Sequence, residues 1–366
     1  MILIAVFITL LFAYCLISRW LAGTMVTAPI AFTAAGVLAC LGIPALGIET
    51  ARFDVFLGIA EVGLVLLLFT DASRTDLDLL RDIRALPMRL LSVGMLLTIL
   101  LGALAALVVF RQLSLWEAGI LAAILAPTDA GLGQVIVASP QVPVRIRQAL
   151  NVEAGLNDGL SVPFLLFFIA LAGASGGSPE ASLTRLVVEQ LGYGALVGIG
   201  VGLAGGALLG LAHRRAWMAD ELRQLGVVVL PLLCILISNA VAASMFIAAF
   251  VAGLAVQVGF KQAGGHCVEF TETWGQALNN SVFFLFGALM VRAWPDLRPI
   301  HALYAVLSLT VVRMLPVAVA LVGTGLSRAS VAFMGWFGPR GLASIVLGLV
   351  YLEEASGAAE PPAIRL

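Results

Sequence analysis

Charged residues are scarce in this chain. Asp, Glu, Lys and Arg make up only 11% of its 366 residues, whereas a typical soluble domain carries about 25%. Apolar residues account for 61% of the sequence and the mean hydropathy is +1.08. This imbalance excludes an ordinary soluble protein and predicts a polytopic membrane protein whose main partner is the lipid bilayer. The formal net charge of −1 gives no reason to expect a nucleic-acid partner.

Potential metal ligands and nucleophiles are also sparse. The 4 cysteines are scattered, most of them inside apolar runs, and form neither a disulfide framework nor a metal-binding pattern. The 3 histidines lie far apart, which argues against a histidine-based metal centre. The motif H-E-x-x-H does not occur, and the match to G-x-S-x-G at residues 173–177 lies in a Gly- and Ser-rich connection between apolar runs rather than at a strand-to-helix turn. An enzyme acting inside the membrane is therefore disfavoured and no cofactor is expected. A continuous ring of charges would indicate a channel, and none is visible in the sequence.

The sequence consists mainly of long apolar runs. A membrane-spanning helix needs about 20 mostly apolar residues. Twelve stretches qualify, at roughly 1–18, 25–43, 54–72, 87–110, 114–136, 144–172, 187–212, 222–240, 242–259, 275–292, 300–325 and 330–352. The first stretch lacks the positive start of a signal peptide, so we predict that it is retained as a transmembrane helix.

We expect one membrane domain over residues 1–366, because the connections are too short for a soluble domain between spans. It divides into a first repeat at about 1–172, a linker helix at about 187–212, and a second repeat at about 222–352. Residues 353–366 are predicted to be a short tail. Lys and Arg favour one set of alternate loops, which includes Arg74, Arg89 and Arg145. The positive-inside rule places that side in the cytoplasm and both termini outside.

Carboxylates interrupt the apolar pattern between residues 126 and 164. Asp129 follows Pro127 in A-P-T-D, and Glu153 and Asp158 lie in E-A-G-L-N-D. A charge at the centre of a membrane helix costs about 2.5–3.5 kcal/mol on insertion scales, so these acids need a functional or structural reason. Pro127 predicts a helix broken near the middle of the membrane. The alternative is a simple proline kink with a snorkelling Asp.

A second interruption occurs in the last span, where W-F-G-P-R-G places Gly338, Pro339 and Arg340 inside an apolar run. Paired interruptions in the two halves of a transporter indicate inverted repeats with the binding site between them. We therefore predict an all-α fold of about twelve transmembrane helices, built from inverted repeats with two discontinuous helices that cross.

The acids of the sixth span point in different directions. Glu153 and Asn157 share a helix face, whereas Asp158 lies roughly 140° around the helix from Glu153. We expect Asp158 to face Asp129 and the broken helix, and Glu153 to need a positive partner, for which Arg313 is the best candidate. The alternative for Glu153 is a solvated position at the cytoplasmic mouth.

Two carboxyl groups in a poorly solvated site predict the exchange of protons for a small cation. Desolvation and a second negative charge both favour the protonated form of a carboxyl group, so protons and a small cation would compete for the same oxygens. Asp71 ends the third span, either as part of a solvated helix end or at the entrance of the ion path.

Span seven carries a glycine at every fourth position from Gly194 to Gly210, which favours close helix packing or, alternatively, a contact between halves or subunits.

Together these motifs resemble the monovalent cation:proton antiporters of the NhaP type, related to the sodium–hydrogen exchangers. The resemblance covers essentially the whole chain and depends on P-T-D, E-x-x-x-N-D, an Arg in the next-to-last span and G-P-R-G. It implies a secondary-active antiporter, not an enzyme, that exchanges sodium, potassium or lithium for protons. It also implies a core domain that moves against a dimerisation domain, a homodimer, and a location in a bacterial inner or plasma membrane.

The resemblance also assigns roles to single residues. Asp158 resembles the central carrier of ion and proton, and Asp129 and the Thr128 backbone resemble its coordinating partners. Asn157 is similar to the Asn of the electroneutral branch, which exchanges one cation for one proton. Glu153 and Arg313 resemble a buried salt bridge, and Arg340 the Arg beside the second break.

The sequence departs from the family pattern at several points. Ala154 follows Glu153 where some relatives have a Ser that helps to bind the ion, and Ala130 follows Asp129 where many have Pro. We also find twelve spans where the family usually has thirteen. A carrier of the same fold that couples an organic anion to a cation is the alternative function, and Arg340 would be its only candidate anion site.

Overall fold

The computed structural model of the protein describes residues 2–21, 24, 26–42, 53–74, 85–129, 142–173, 186–264 and 269–356. Every regular element in these ranges is helical. The helices are α1 Ile2–Leu21, α2 Ala28–Gly42, α3 Phe53–Arg74, α4 Ala85–Val109, α5 Leu115–Ile124, α6 Val144–Gly173, α7 Gly194–Arg214, α8 Asp220–Ala240, α9 Met245–Gly259, α10 Glu269–Ala293, α11 Pro299–Leu309, α12 Val311–Ala320, α13 Arg328–Trp336 and α14 Leu342–Ser356.

The helices follow the predicted spans in order, and the last two spans each contain two helices. Within the described ranges, 8 helical segments are long and apolar enough to cross a membrane, and α2, α5, α9 and the apolar part of α14 are shorter apolar helices. Each predicted span contains at least one helix, which confirms the all-α polytopic fold. The residues at 174–185, before the predicted linker helix, and the part of the fifth span beyond residue 129 lie outside the described residues.

Two boundaries differ from the prediction. The span at 300–325 is not one helix, because the backbone breaks at Thr310, whose φ of −109° and ψ of −92° are not helical. The break frees a carbonyl group that a distant arginine uses, as described below. The last helix continues to Ser356, so the first residues of the predicted tail are helical, while residues 357–366 lie outside the described part.

Apolar side chains cover the outer surface, as expected of helices that face lipid. On α1, Ile4, Ile8, Phe12 and Leu16 are all more than half exposed and recur at every fourth position, so they form one face. The opposite face of α1 packs inward, where Phe7 lies against the rings of Phe32 and Phe284.

The glycine ladder of α7 packs against α9 within the same chain. A Cβ atom added at Gly198, Gly202, Gly206 or Gly210 would overlap a backbone carbonyl oxygen of α9 or of the residue that ends it. Small residues at this spacing let two helix backbones approach closely. The ladder therefore serves close packing inside the chain, and this face of α7 is not available to a second subunit.

α9 also brings α3 and α6 together at the centre of the molecule. Gly253 of α9 lies against the carbonyl of Phe69 in α3, and the ring of Phe250 fills the space beside Gly159 in α6. Phe69 is fully buried. This packing fixes the segments of α3 and α6 that carry Asp71 and Asp158.

Candidate functional site

The segment that the sequence predicts to be the first helix break follows α5. The helix begins with a capping box, in which the Ser114 side chain accepts from the Glu117 amide and Glu117 accepts from the Ser114 amide. It ends at Ile124, and the chain from Ala126 to Asp129 is not helical. Ala126, Pro127 and Thr128 are all buried. The backbone groups of this segment are therefore enclosed by protein, where they need hydrogen-bond partners because lipid offers none.

The second break supplies those partners. α13 ends at Trp336, α14 begins at Leu342, and the residues between them are not helical. The backbone N–H of Asp129 donates a hydrogen bond to the carbonyl of Pro339, at 2.8 Å. The segment that follows α5 thus meets the break between α13 and α14, over 200 residues later in the sequence.

Arg340 connects the same two breaks through its side chain. One terminal nitrogen donates to the carbonyls of Ala126, at 2.8 Å, and Pro127, at 3.1 Å. The other donates to the carbonyl of Ser308, at 3.1 Å. Carbonyls at the end of a helix have no partner within that helix, and a guanidinium group carries enough donors to satisfy several of them at once.

Two glycines of the second break allow the closest contacts. A Cβ atom at Gly341 would overlap the side chain of Asp129, including Oδ2 and Cβ. A Cβ atom at Gly338 would lie 3.1 Å from the Cγ and Nε atoms of Arg313. The G-P-R-G segment therefore holds Asp129 on one side and Arg313 on the other.

α6 approaches the first break through Asn157. Its side-chain nitrogen donates to the Thr128 carbonyl, at 3.1 Å, and to the Thr128 hydroxyl, at 2.8 Å. Both residues are only 4% exposed. Because the amide group of Asn157 is held by these bonds, it orients the adjacent turn of α6 toward the break.

Asp158 follows directly and is buried, with 6% of its surface exposed. Its Oδ1 atom is buried and has no hydrogen-bond partner among the described residues. Its carboxylate is close enough to those of Asp129 and Asp71 to interact electrostatically with both. The site therefore gathers negative charge in a poorly solvated place, and a proton or a cation would relieve it.

Asp71 lies within α3 beside α6. Its Cβ atom is 3.6 Å from the position that a Cβ would take at Gly155, and its side chain is partly buried. This position is next to the site rather than in a loop beyond the helix. The neighbouring acids Asp76, Asp78 and Asp82 lie outside the described residues.

Glu153 and Arg313 form an ion pair away from these carboxylates. The Arg313 terminal nitrogen is 2.7 Å from Glu153 Oε1, and both side chains are only 3% exposed. Glu153 is therefore not solvated at a mouth of the protein, which was the alternative. The pair connects α6 to α12, and Arg313 also contacts the second break at Gly338.

The oxygen atoms near the two breaks define the chemistry open to the site. Carboxylate and carbonyl oxygens suit hard cations. Within the described ranges, no group of three or more His, Cys, Asp or Glu side chains is arranged to hold a metal ion. A cation here would have to use the Asp129 and Asp158 carboxylates together with backbone and hydroxyl oxygens such as those of Thr128.

Several contributing residues were not predicted from the sequence. Three hydrogen bonds fix elements around the site. The Ser308 carbonyl accepts from Arg340, and the Tyr304 hydroxyl donates to the Gly102 carbonyl at 3.2 Å. The Gln257 amide donates to the Ala72 carbonyl at 3.0 Å. Gln257 was detectable as a polar residue in the apolar run of α9. A backbone carbonyl such as that of Ser308 leaves no sequence signal.

The fold and the site define a class of protein: a multi-pass helical membrane protein in which the end of one apolar helix meets the break between two others beside buried acids. The family model described as "Sodium/hydrogen exchanger, transmembrane" matches residues 6–363. The chain therefore belongs to the sodium/hydrogen exchanger family.

Individual relatives agree with this assignment. A "Probable Na(+)/H(+) antiporter" of Schizosaccharomyces pombe is 25% identical over 263 residues, which cover 66% of this chain and 34% of that protein. The alignment thus spans about a third of the length of this curated relative.

Solved structures show the same fold. The sodium proton antiporter MjNhaP1 from Methanocaldococcus jannaschii at pH 8 matches with a TM-score of 0.76 at 20% identity, covering 99% of this chain and 91% of that one. A map of MjNhaP1 obtained by electron microscopy matches with a TM-score of 0.73 at 18% identity, covering 97% and 85%.

Proposed function

We propose that this protein is a secondary-active antiporter that exchanges a monovalent cation for protons across the membrane. Sodium is the first candidate, and potassium and lithium are the others. The observation that supports the proposal is the contact of α6 with the segment after α5, where Asn157, next to Asp158, donates to Thr128 and the N–H of Asp129 donates to Pro339. Membership of the exchanger family supports it independently.

Asp158 is the residue we propose as the shared carrier. It is buried, one of its oxygens has no hydrogen-bond partner among the described side chains and backbone, and it lies near two further acids. Protonation neutralises it, and so does a bound cation, while both at once would not fit. Competition of this kind couples the two fluxes: the carrier crosses loaded with either the proton or the cation.

Asp129 and Thr128 are proposed to complete the cation site, with Asp71 at its entrance. The N–H of Asp129 is held by Pro339 and the carbonyl of Thr128 is held by Asn157, so the first break is fixed before an ion arrives. Fixed oxygens lose little freedom on binding, which favours recognition by pre-organisation.

We propose that exchange is electroneutral, one cation for one proton. The position before Asp158 is Asn157, whose amide group cannot release a proton and is already bonded to Thr128. A transport assay in vesicles with the membrane potential clamped at different values tests this point. Rates that do not change with potential support one-for-one exchange, and rates that do change would contradict it.

Alternating access of a core domain against a second domain is proposed as the transport mechanism. The Glu153–Arg313 pair and the Arg340 bonds tie α5, α6, α11, α12 and the second break to one another. These elements can therefore move as one unit. We also propose a homodimer in a bacterial inner or plasma membrane, and cross-linking in native membranes would test the dimer.

The alternative, coupling of an organic anion to a cation, is less well supported. It would need a cation free to bind the anion, and Arg340 was its only candidate. Three backbone carbonyls already occupy the terminal nitrogens of Arg340.

Exchange in everted vesicles with a pH-sensitive dye tests the proposed function. Sodium, lithium and potassium are added in turn to the wild-type protein, to Asp158→Asn and to Asp296→Asn. Asp296 is an exposed acid in the turn between α10 and α11, so its variant is a matched control. We expect at least one cation to give a dye response that Asp158→Asn abolishes and Asp296→Asn retains. A full response from Asp158→Asn would place the ion site elsewhere.

A further inference from the structure

An apolar groove lies on the lipid-facing side of the protein, between α4 and α12. It has a volume of about 180 Å³. The side chains that line it are all apolar: Leu97, Leu100, Leu101, Leu104, Leu315, Pro316 and Val319. No residue of the candidate ion site lines this groove.

Arg89 stands at one end of the groove. It is exposed, and one terminal nitrogen donates to the carbonyls of Ala320, at 3.4 Å, and Val322, at 2.5 Å. These carbonyls belong to the end of α12, directly after Val319 of the groove. Leu97 lies eight residues after Arg89 on α4, a rise of about 12 Å along the helix.

The guanidinium group of Arg89 has donors to spare. Both of its hydrogen bonds use the same nitrogen, and a guanidinium group carries five N–H donors in a planar fork. Among the described residues, no acidic side chain forms an ion pair with Arg89. Within the part of the chain that the structure describes, a positive charge with unused donors thus lies beside the end of an apolar groove.

We propose that this groove binds an anionic phospholipid, with one acyl chain along the leucines of α4 and the phosphate at Arg89. Arginine binds phosphate through paired, charge-assisted hydrogen bonds, and the groove complements a hydrocarbon chain but offers nothing to a polar ligand. The lipid belongs to the leaflet on the Arg89 side, which the arrangement of Lys and Arg in the loops predicts to be cytoplasmic. This proposal does not depend on the proposed transport function.

Native mass spectrometry of the purified, delipidated protein tests the proposal. Phosphatidylglycerol and phosphatidylcholine with identical acyl chains are titrated separately. A single basic residue near an anionic surface changes affinity by about fivefold, so we expect the first lipid to bind about fivefold more tightly. Arg89→Gln should remove this preference and Arg89→Lys should restore part of it.

Two further variants separate the groove from the charge. Leu101→Trp should fill the groove and weaken both lipids while Arg89 is intact. The controls are Arg145→Gln, an exposed arginine outside the groove, and Leu196→Trp, an exposed lipid-facing position on α7; both should bind lipid like the wild type. Equal binding of the two lipids, or a preference that survives Arg89→Gln, would overturn the proposal. So would wild-type binding by Leu101→Trp.

Discussion

Breaking the Glu153–Arg313 pair should destabilise the protein strongly. The two groups are 2.7 Å apart and each side chain is 3% exposed, so removing one partner leaves the other charged and buried. Such a loss costs about 3–5 kcal/mol, a large part of the roughly 5–15 kcal/mol that holds a typical domain folded. At about 2–4 °C per kcal/mol, the expected fall in apparent melting temperature is roughly 6–20 °C.

Thermal unfolding of the purified protein in detergent measures this effect. Glu153→Met and Arg313→Met are compared with the double variant, because replacing both charges with apolar groups of similar size is often nearly neutral. We expect each single variant to melt far below the wild type and the double variant to recover much of the difference. Asp296→Asn, an exposed control, should shift the free energy of unfolding by no more than about 0.5 kcal/mol.

A small effect would refute this reasoning. If Glu153→Met and Arg313→Met melt within a degree or two of Asp296→Asn, the two charges are solvated and the pair does not hold α6 to α12. A double variant as unstable as the sum of the single variants would show that the charges do not interact.

Three further predictions follow from the site. Gly341→Ala should abolish exchange while the protein still purifies as a folded species, because the added methyl group displaces Asp129. Vesicle assays measure this effect beside a control, Gly323→Ala, where the added Cβ has open space but the backbone φ is +78°. The control separates damage to the site from backbone strain. Arg340→Gln should reduce exchange and lower the melting temperature by leaving buried carbonyls without donors, and wild-type behaviour would contradict this. Lowering the pH should weaken cation binding by up to about tenfold per unit where Asp158 titrates; an apparent KM independent of pH would oppose competition.

The fold was predictable because its main signals are strong and local. Apolar runs of about 20 residues locate spans whatever they pack against, and Pro127 and Pro339 mark breaks because proline cannot donate the helical hydrogen bond. The helix geometry of α6 separates Glu153 from Asp158, and the structure shows the two residues with different neighbours.

The remaining features depend on tertiary contacts that the sequence does not encode locally. Thr310 interrupts an apolar run without Gly or Pro beside it, and the nearby Ser308 carbonyl accepts a hydrogen bond from Arg340, over thirty residues later in the chain. The glycine ladder of α7 was compatible with packing or with a subunit contact, and only the position of α9 distinguishes them. Asp71 lies beside Gly155 of α6, three residues before Asp158 and more than eighty residues later in the chain than Asp71.

Proton release on cation binding tests the central claim most directly. Calorimetric titration of the purified protein with sodium, repeated in buffers of different ionisation enthalpy, counts the protons released per bound ion. The account predicts close to one proton for the wild type and none for Asp158→Asn. Sodium binding without proton release in the wild type, or unchanged release in Asp158→Asn, would contradict it.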